Sequence, residues 1–172
     1  FASVDAGLRG HRGRHNLAAL YAERGDVARA EEQWRAAVAE EPYFLPAQQR
    51  LGDLLLSAGD FAAAERHATD LRRLSPAGDM IAESLLARSR LAQDDSDGAR
   101  AGLEAAMRRH SDDPELRVLF THALLKSGAD PAACERALRA VLEVAPDHAA
   151  SRHNLEVLLR NQGRWIEGVI DG

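Results

Sequence analysis

Arg14-His15-Asn16-Leu17 returns 138 residues later as Arg152-His153-Asn154-Leu155. That separation is close to four periods of about 34 residues, and the same code of small and large apolar residues recurs between the two copies. A period of this length built from paired helices reads as a solenoid, in which no single unit can bury its apolar face alone. In residues 11–44, Leu17, Ala18 and Tyr21 share one face of a first helix and Gly25-Asp26 breaks it. Ala30, Trp34 and Ala37 then share one face of a second helix, and Pro42 ends the unit.

Residues 45–78 repeat these positions as Leu51, Gly52, Leu55, Gly59-Asp60, Ala64, Ala68, Leu71 and Pro76. Residues 114–148 give Phe120, Thr121, Leu124, Gly128, Cys134, Leu138, Val141 and Pro146, with one extra residue in the turn. A partial fifth unit, 149–165, opens with Leu155, Glu156, Leu159 and Gly163-Arg164-Trp165. The third unit, 80–113, departs most from the pattern. It offers Leu86, Ala87, Ala99, Leu103 and Ala106, but has Arg90 at a large apolar position, Asp94-Asp95 for Gly-Asp and Ser111 for Pro. Alanine and glycine let two helices approach, and leucine, tryptophan and tyrosine fill the space beside them. Asp113-Pro114 and Asp130-Pro131 each place a capping oxygen before a proline suited to the first helical position, and Asp60 and Asp147 can cap in the same way. No stretch alternates with period two, so no sheet is expected.

The pattern resembles the tetratricopeptide repeat over residues 9–165. The resemblance implies an all-α, right-handed α-solenoid of antiparallel helix pairs, about four repeats plus a partial fifth. Residues 1–10 would be a lead-in or capping helix and 166–172 a C-terminal end.

With 172 residues the chain can bury a substantial core. Aromatics are only 5%, which suits close-packed helices. The net charge of −5 gives no global attraction for nucleic acid or an anionic membrane, and neither is expected as a partner. No apolar run approaches a membrane span, and a cytoplasmic setting is expected. Cys134, the one cysteine, sits at a small-residue helix position and reads as buried packing. Lys126 is the one lysine; arginine otherwise supplies the positive charge, a bias that with abundant alanine points to a GC-rich bacterial genome. The start at Phe1 and the end at Gly172, where a further helix would begin, suggest a piece of a longer protein.

Among the seven histidines, His11 and His15 are four apart and could share a helix face in workable zinc geometry. No third ligand is evident nearby, and solvated or groove-lining histidines are the better reading. Asp94-Asp95-Ser96-Asp97-Gly98 contains Asp-x-Asp and partly resembles an EF-hand loop, with Glu104 further on. Gln93 stands where that loop needs its first acid, so a helix-capping turn is the better reading. Arg9, His11, Arg12, Arg14 and His15 form a basic cluster that could meet a phosphate, an acidic peptide or an acidic domain, or be a solvated helix start. There is no P-loop, GxSxG elbow, CxxC pair or GxGxxG, so neither an active site nor a cofactor is expected.

Tetratricopeptide arrays usually bind through a concave face lined by the first helix of each unit. Carried onto this chain, the resemblance puts Arg12, His15, Asn16 and Glu23 there, then Gln49, Arg50 and Asp53, then Ser84 and Arg88. His122 and Lys126 follow, then His153, Asn154, Val157 and Arg160. Such a polar face of mixed charge suits an extended peptide or a partner domain. The lysine and asparagine pattern of the chaperone-tail clamp is absent, since His15 and Ala19 stand in its place. The chain therefore reads as a protein-interaction scaffold.

A second reading starts from Gly7-Leu8-Arg9-Gly10, followed by Arg14-His15-Asn16-Leu17-Ala18 and Glu31-Glu32-Gln33-Trp34-Arg35-Ala36-Ala37. These resemble the repeat tail after family 2 glycosyltransferase domains in some bacteria. The array would then position an acceptor or pack on a catalytic domain of the same parent chain. A third reading, an RNA-binding array, lacks a repeated basic or base-reading position.

At the ends, Phe1, Val4 and Leu8 are expected to cover the first unit. Trp165, Ile166, Val169 and Ile170 would leave an apolar end able to self-associate weakly. In the core, Trp34→Ala should cost roughly 3–5 kcal/mol by truncating a buried aromatic. An unchanged melting temperature would place Trp34 outside the core.

Overall fold

The computed structural model describes residues 10–111 and 113–164. Among them the chain is all-helical, with helices α1 (His11–Glu23), α2 (Val27–Glu40), α3 (Leu45–Ser57), α4 (Phe61–Leu71), α5 (Pro76–Ala92), α6 (Ser96–Met107), α7 (Pro114–Lys126), α8 (Pro131–Val144) and α9 (Ala149–Asn161). The chain divides into two compact units, residues 1–89 and 90–172. The expected lead-in helix and the apolar end at Trp165, Ile166, Val169 and Ile170 fall outside the described residues.

One local device ends every odd-numbered helix. Gly25, at φ +76°, is left-handed, a conformation glycine adopts without steric cost. Its N–H donates to the Ala22 carbonyl and the next N–H, of Asp26, to Tyr21. The same pair of bonds recurs at Gly59-Asp60, at Gly128-Ala129 and at Gly163-Arg164. At the third turn the left-handed residue is Asp94, at φ +61°. Aspartate is among the few side-chain-bearing residues that tolerate this region, so the missing glycine does not remove the turn.

The aspartate after the left-handed residue caps the next helix. Asp26 accepts from the Arg29 N–H at 3.2 Å, Asp60 from Ala63 at 3.0 Å and Asp95 from Gly98 at 2.9 Å. The extra residue of the fourth turn, Ala129, moves this role to Asp130, which accepts from Ala133 at 3.3 Å. Asp113 caps α7 through the Leu116 N–H at 2.8 Å. Asp147 does not cap α9. That helix begins one residue later, and His148 Nδ1 accepts from the Ser151 N–H at 3.2 Å. Asp147 lies instead 3.7 Å from Arg152.

In the first unit Ala18, Ala30, Trp34 and Ala37 are buried in one cluster with Leu51, Leu54 and Leu55. Leu17 occupies the position of Leu51 in the preceding pair, yet it is 40% exposed where Leu51 is 3%. Leu51 packs on the cluster around Trp34, whereas no earlier helix pair precedes Leu17 among the described residues. Next come Ala68, Leu71, Ala82 and Leu85. A half-buried ion pair crosses this level: Glu83 is buried and accepts from the exposed Arg72, from Nε at 3.0 Å and from Nη2 at 2.5 Å. In the second unit Leu138, Leu155 and Leu159 join α8 to α9. Cys134 is buried, and burial together with Asp130 pushes its thiol pKa up, away from reactivity.

Arg90 meets the third unit's irregularity with polar contact. Its Nη1 donates to the Gly98 carbonyl at 2.9 Å. It lies over Gly102, where an added Cβ would stand 2.7 Å from that nitrogen.

Gly52 shows why small residues are needed. A Cβ there would stand 2.4 Å from Leu85 Cδ1, and Leu85 is only 1% exposed. Gly52→Ala gains up to about 1 kcal/mol of helix propensity, but the overlap in a filled core costs about 1–3 kcal/mol. We expect net destabilisation in urea unfolding; stability at or above wild type would mean that Leu85 has room to move.

Candidate functional site

The polar side chains carried over from the repeat pattern fall on two sets of helices. In the first unit Arg12 and Asn16 on α1, and Gln49 and Arg50 on α3, are exposed. His15, Asp53 and Arg88 are partly buried. In the second unit His122 on α7 and His153 and Arg160 on α9 are exposed, and Asn154 is half-buried. Ser84, in the same row by position, is buried.

Several of these side chains already have protein partners. Arg88 Nη1 lies 2.5 Å from Asp53 Oδ1, an ion pair that links α5 to α3. His15 Nδ1 accepts the Trp34 indole N–H at 3.3 Å. The imidazole also stands edge-on to Phe44, with ring centres 5.3 Å apart. Burial first, and then the Arg50 charge, hold the His15 pKa below its ordinary 6.5. Lys126 donates to the Leu91 carbonyl at 2.7 Å and to Asp94 at 2.6 Å. The lysine thus fastens the one turn that lacks glycine, and the hydrogen bond it makes lowers the Asp94 pKa.

The basic cluster of α1 disperses. Arg14 reaches Glu40 at 2.5 Å and Gln33 at 3.3 Å on α2, so it clips the helix pair together. His11 stacks edge-on against Phe44 at 4.8 Å. Of the described members of the cluster, Arg12 is the exposed one. Asp94, Asp95 and Asp97 form the capping turn, and among the described residues no three metal-ligating side chains come together.

Among the polar features that the sequence pattern does not announce are the Arg72–Glu83 pair and an arginine-lined pocket of about 390 Å³ in the second unit, between α6, α7 and α8. The available signal was a helical stripe, Ala133, Arg136, Ala137 and Ala140, with no bulky residue to fill the space before it.

No family model matches the chain. Over 137 residues it is 35% identical to the cellulose synthase 2 operon protein C of Komagataeibacter xylinus, a match covering 78% of this chain and 10% of that protein. The chain thus spans about a tenth of that relative's length. Its fold is similar to that of a thermophilic tetratricopeptide-repeat protein from Thermus thermophilus, with TM-score 0.71, 18% identity and coverage of 94% of this chain and 88% of that one. It is also similar to YrrB, a tetratricopeptide-repeat protein with an unusual peptide-binding site, with TM-score 0.56, 16% identity and coverage of 92% and 80%. The fold is therefore the tetratricopeptide-repeat solenoid of helix pairs. No helix among the described residues is long and apolar enough to cross a membrane.

The histidines give the first unit a pH dependence. Burial also lowers the His67 pKa below 6.5, and His67 Nε2 bonds the Gln48 carbonyl at 2.8 Å. Both groups bind protons more readily in the unfolded chain. Their contribution to stability is therefore present above pH 6.5 and lost as pH falls through the lowered values. The melting temperature should drop on acidification below 6.5, and His15→Asn with His67→Gln should flatten that limb. An unchanged slope in the double variant would assign the acid sensitivity to other groups.

Proposed function

We propose that the chain is a non-catalytic protein-interaction module that holds an extended peptide or a partner domain on the polar faces of its odd-numbered helices. The observation that carries this reading is the row on α1, α3 and α5. Arg12, Asn16, Gln49 and Arg50 are exposed there, while the Asp53–Arg88 pair holds neighbouring helices in register. The helix backbone that carries these side chains is already ordered and loses little freedom on binding, which favours recognition of a flexible segment. The fold shared with YrrB supports the same class of ligand.

The relative from the cellulose synthase operon favours a second reading, in which the module is the repeat region of a longer bacterial protein. It would then sit beside a glycan-synthesising glycosyltransferase, position the acceptor or pack on the catalytic domain, and turn over nothing itself.

A pull-down from bacterial lysate, read by mass spectrometry, tests the first reading. The bait is the wild type or the Arg12→Ala, Asn16→Ala, Asp53→Ala, Arg88→Ala variant, which removes both halves of the ion pair together. A partner kept by the wild type and lost by an equally folded variant is the expected result. Identical captures from both would turn the assignment towards packing on a catalytic domain.

A further inference from the structure

The pocket in the second unit lies away from the row that contains His122 and Lys126. Arg117, Phe120 and Leu124 face it from α7. At about 100° per residue these fall on the opposite side of the helix from His122 and Lys126. Met107, Phe120 and Leu124 provide apolar surface, and Ala133 and Ala137 on α8 leave the volume unfilled. Arg100, Arg117 and Arg136 stand around it, with Glu104 the one acid in the lining.

The arginines are incompletely satisfied. The Nε atoms of Arg100 and Arg117 are buried and have no hydrogen-bond partner among the described residues. Arg117 Nη2 donates to the Ser111 carbonyl at 2.5 Å, and Arg100 Nη2 lies 3.5 Å from Asp97. A buried donor without an acceptor is costly, more so when it carries charge. The remaining N–H groups of these two side chains, with Arg136, give the pocket a positive lining that favours an anion.

The first unit supplies an internal comparison. Aligned on their capping aspartates, α4 puts His67 where α8 has Ala137, and α2 puts Glu31 and Arg35 where α6 has Arg100 and Glu104. Aligned on the turn glycines, α3 puts Gln48 where α7 has Arg117. There the polar groups satisfy one another. His67 bonds the Gln48 carbonyl at 2.8 Å, Gln48 Nε2 donates to the Pro42 carbonyl at 2.7 Å, and Arg35 pairs with Glu31 at 2.7 Å. The second unit has alanine in place of His67 and arginine in place of Glu31 and Gln48, while Glu104 replaces Arg35 and Arg136 keeps the arginine of Arg66.

We propose that this pocket binds an acidic peptide segment of a partner protein. One bulky apolar side chain seats against Phe120 and Leu124, and the flanking carboxylates bridge to Arg117 and Arg136. Guanidinium forks match carboxylates in paired, charge-assisted hydrogen bonds. The volume lies at the small end of the range for ligand pockets, which suits one side chain and its neighbours. The site is independent of the groove reading, because its residues lie on the other side of α7.

The test is a fluorescence anisotropy titration of the full chain with labelled Ac-Gly-Glu-Phe-Glu-Gly and its glutamine analogue Ac-Gly-Gln-Phe-Gln-Gly. The acidic peptide should bind at least about tenfold more tightly, and Arg117→Gln or Arg136→Gln should each cost about tenfold. Ala137→His, which copies the filled site of the first unit, should abolish binding. Glu104→Gln, at an exposed position, should tighten binding, and it keeps the test open should an arginine variant fail to fold. Arg12→Ala with Asn16→Ala should leave this affinity unchanged even where it abolishes groove binding. Equal binding of the two peptides, full binding by Ala137→His, or no tightening by Glu104→Gln would overturn the proposal. So would occupancy by inorganic phosphate at matched ionic strength without binding of the peptide.

Discussion

The left-handed turn that ends each odd-numbered helix is the constraint on which the rest of the structure depends. A helix end leaves carbonyls unsatisfied and the next helix start leaves N–H groups unsatisfied. Here both needs are met within a few residues. At Gly25-Asp26 the N–H of Asp26 closes α1 while its carboxylate opens α2. One residue serves two helices, so the angle between them is set locally, before distant packing contributes. Each such cap is worth about 1 kcal/mol, and it recurs at the start of α4, α6 and α8.

Given that geometry, apolar burial needs only a large residue facing a small one at a separation near the repeat length. Gly52 receives Leu85 in this way. The polar contacts keep the same register: Asp53 meets Arg88 and Lys126 meets Leu91, each 35 residues apart in sequence. A sequence period has become a spatial stacking rule within each unit, as expected where each repeat rests on its neighbours.

The fold was legible for this reason. Its determinants are local and repeated, so Gly25, Gly59, Asp60 and Trp34 each announce their place. Where legibility failed, the deciding facts were not local. Asp147 looked like a cap, but the helix start lies one residue further on and His148 supplies the acceptor. Leu17 matched Leu51 by position, but burial depends on what lies over it. The groove side chains could be placed on helices, yet nothing in the sequence shows that Lys126 is held by Asp94 or that His15 accepts a hydrogen bond from Trp34. The pocket was hidden more deeply still, because it arises from side chains that are small on one helix and charged on two others.

The departures from the repeat pattern separate by what the fold does with them. Asp94 stands for glycine, and Lys126, 32 residues away, meets its charge. Arg90 stands for a large apolar residue, and the Gly98 carbonyl and the open space over Gly102 receive it. Each irregularity is answered by a residue that makes sense only beside it, so both are consumed in building the third turn and need no external ligand. Arg100 and Arg117 differ: each Nε atom is buried and has no acceptor among the described residues. A buried N–H donor without an acceptor lowers stability. The same framework in the first unit, with Gln48 and His67, shows that a satisfied alternative exists for this architecture. The contacts of the fold thus account for Arg100 and Arg117 only in part, and this is the ground on which the pocket between α6, α7 and α8 is proposed as a binding site.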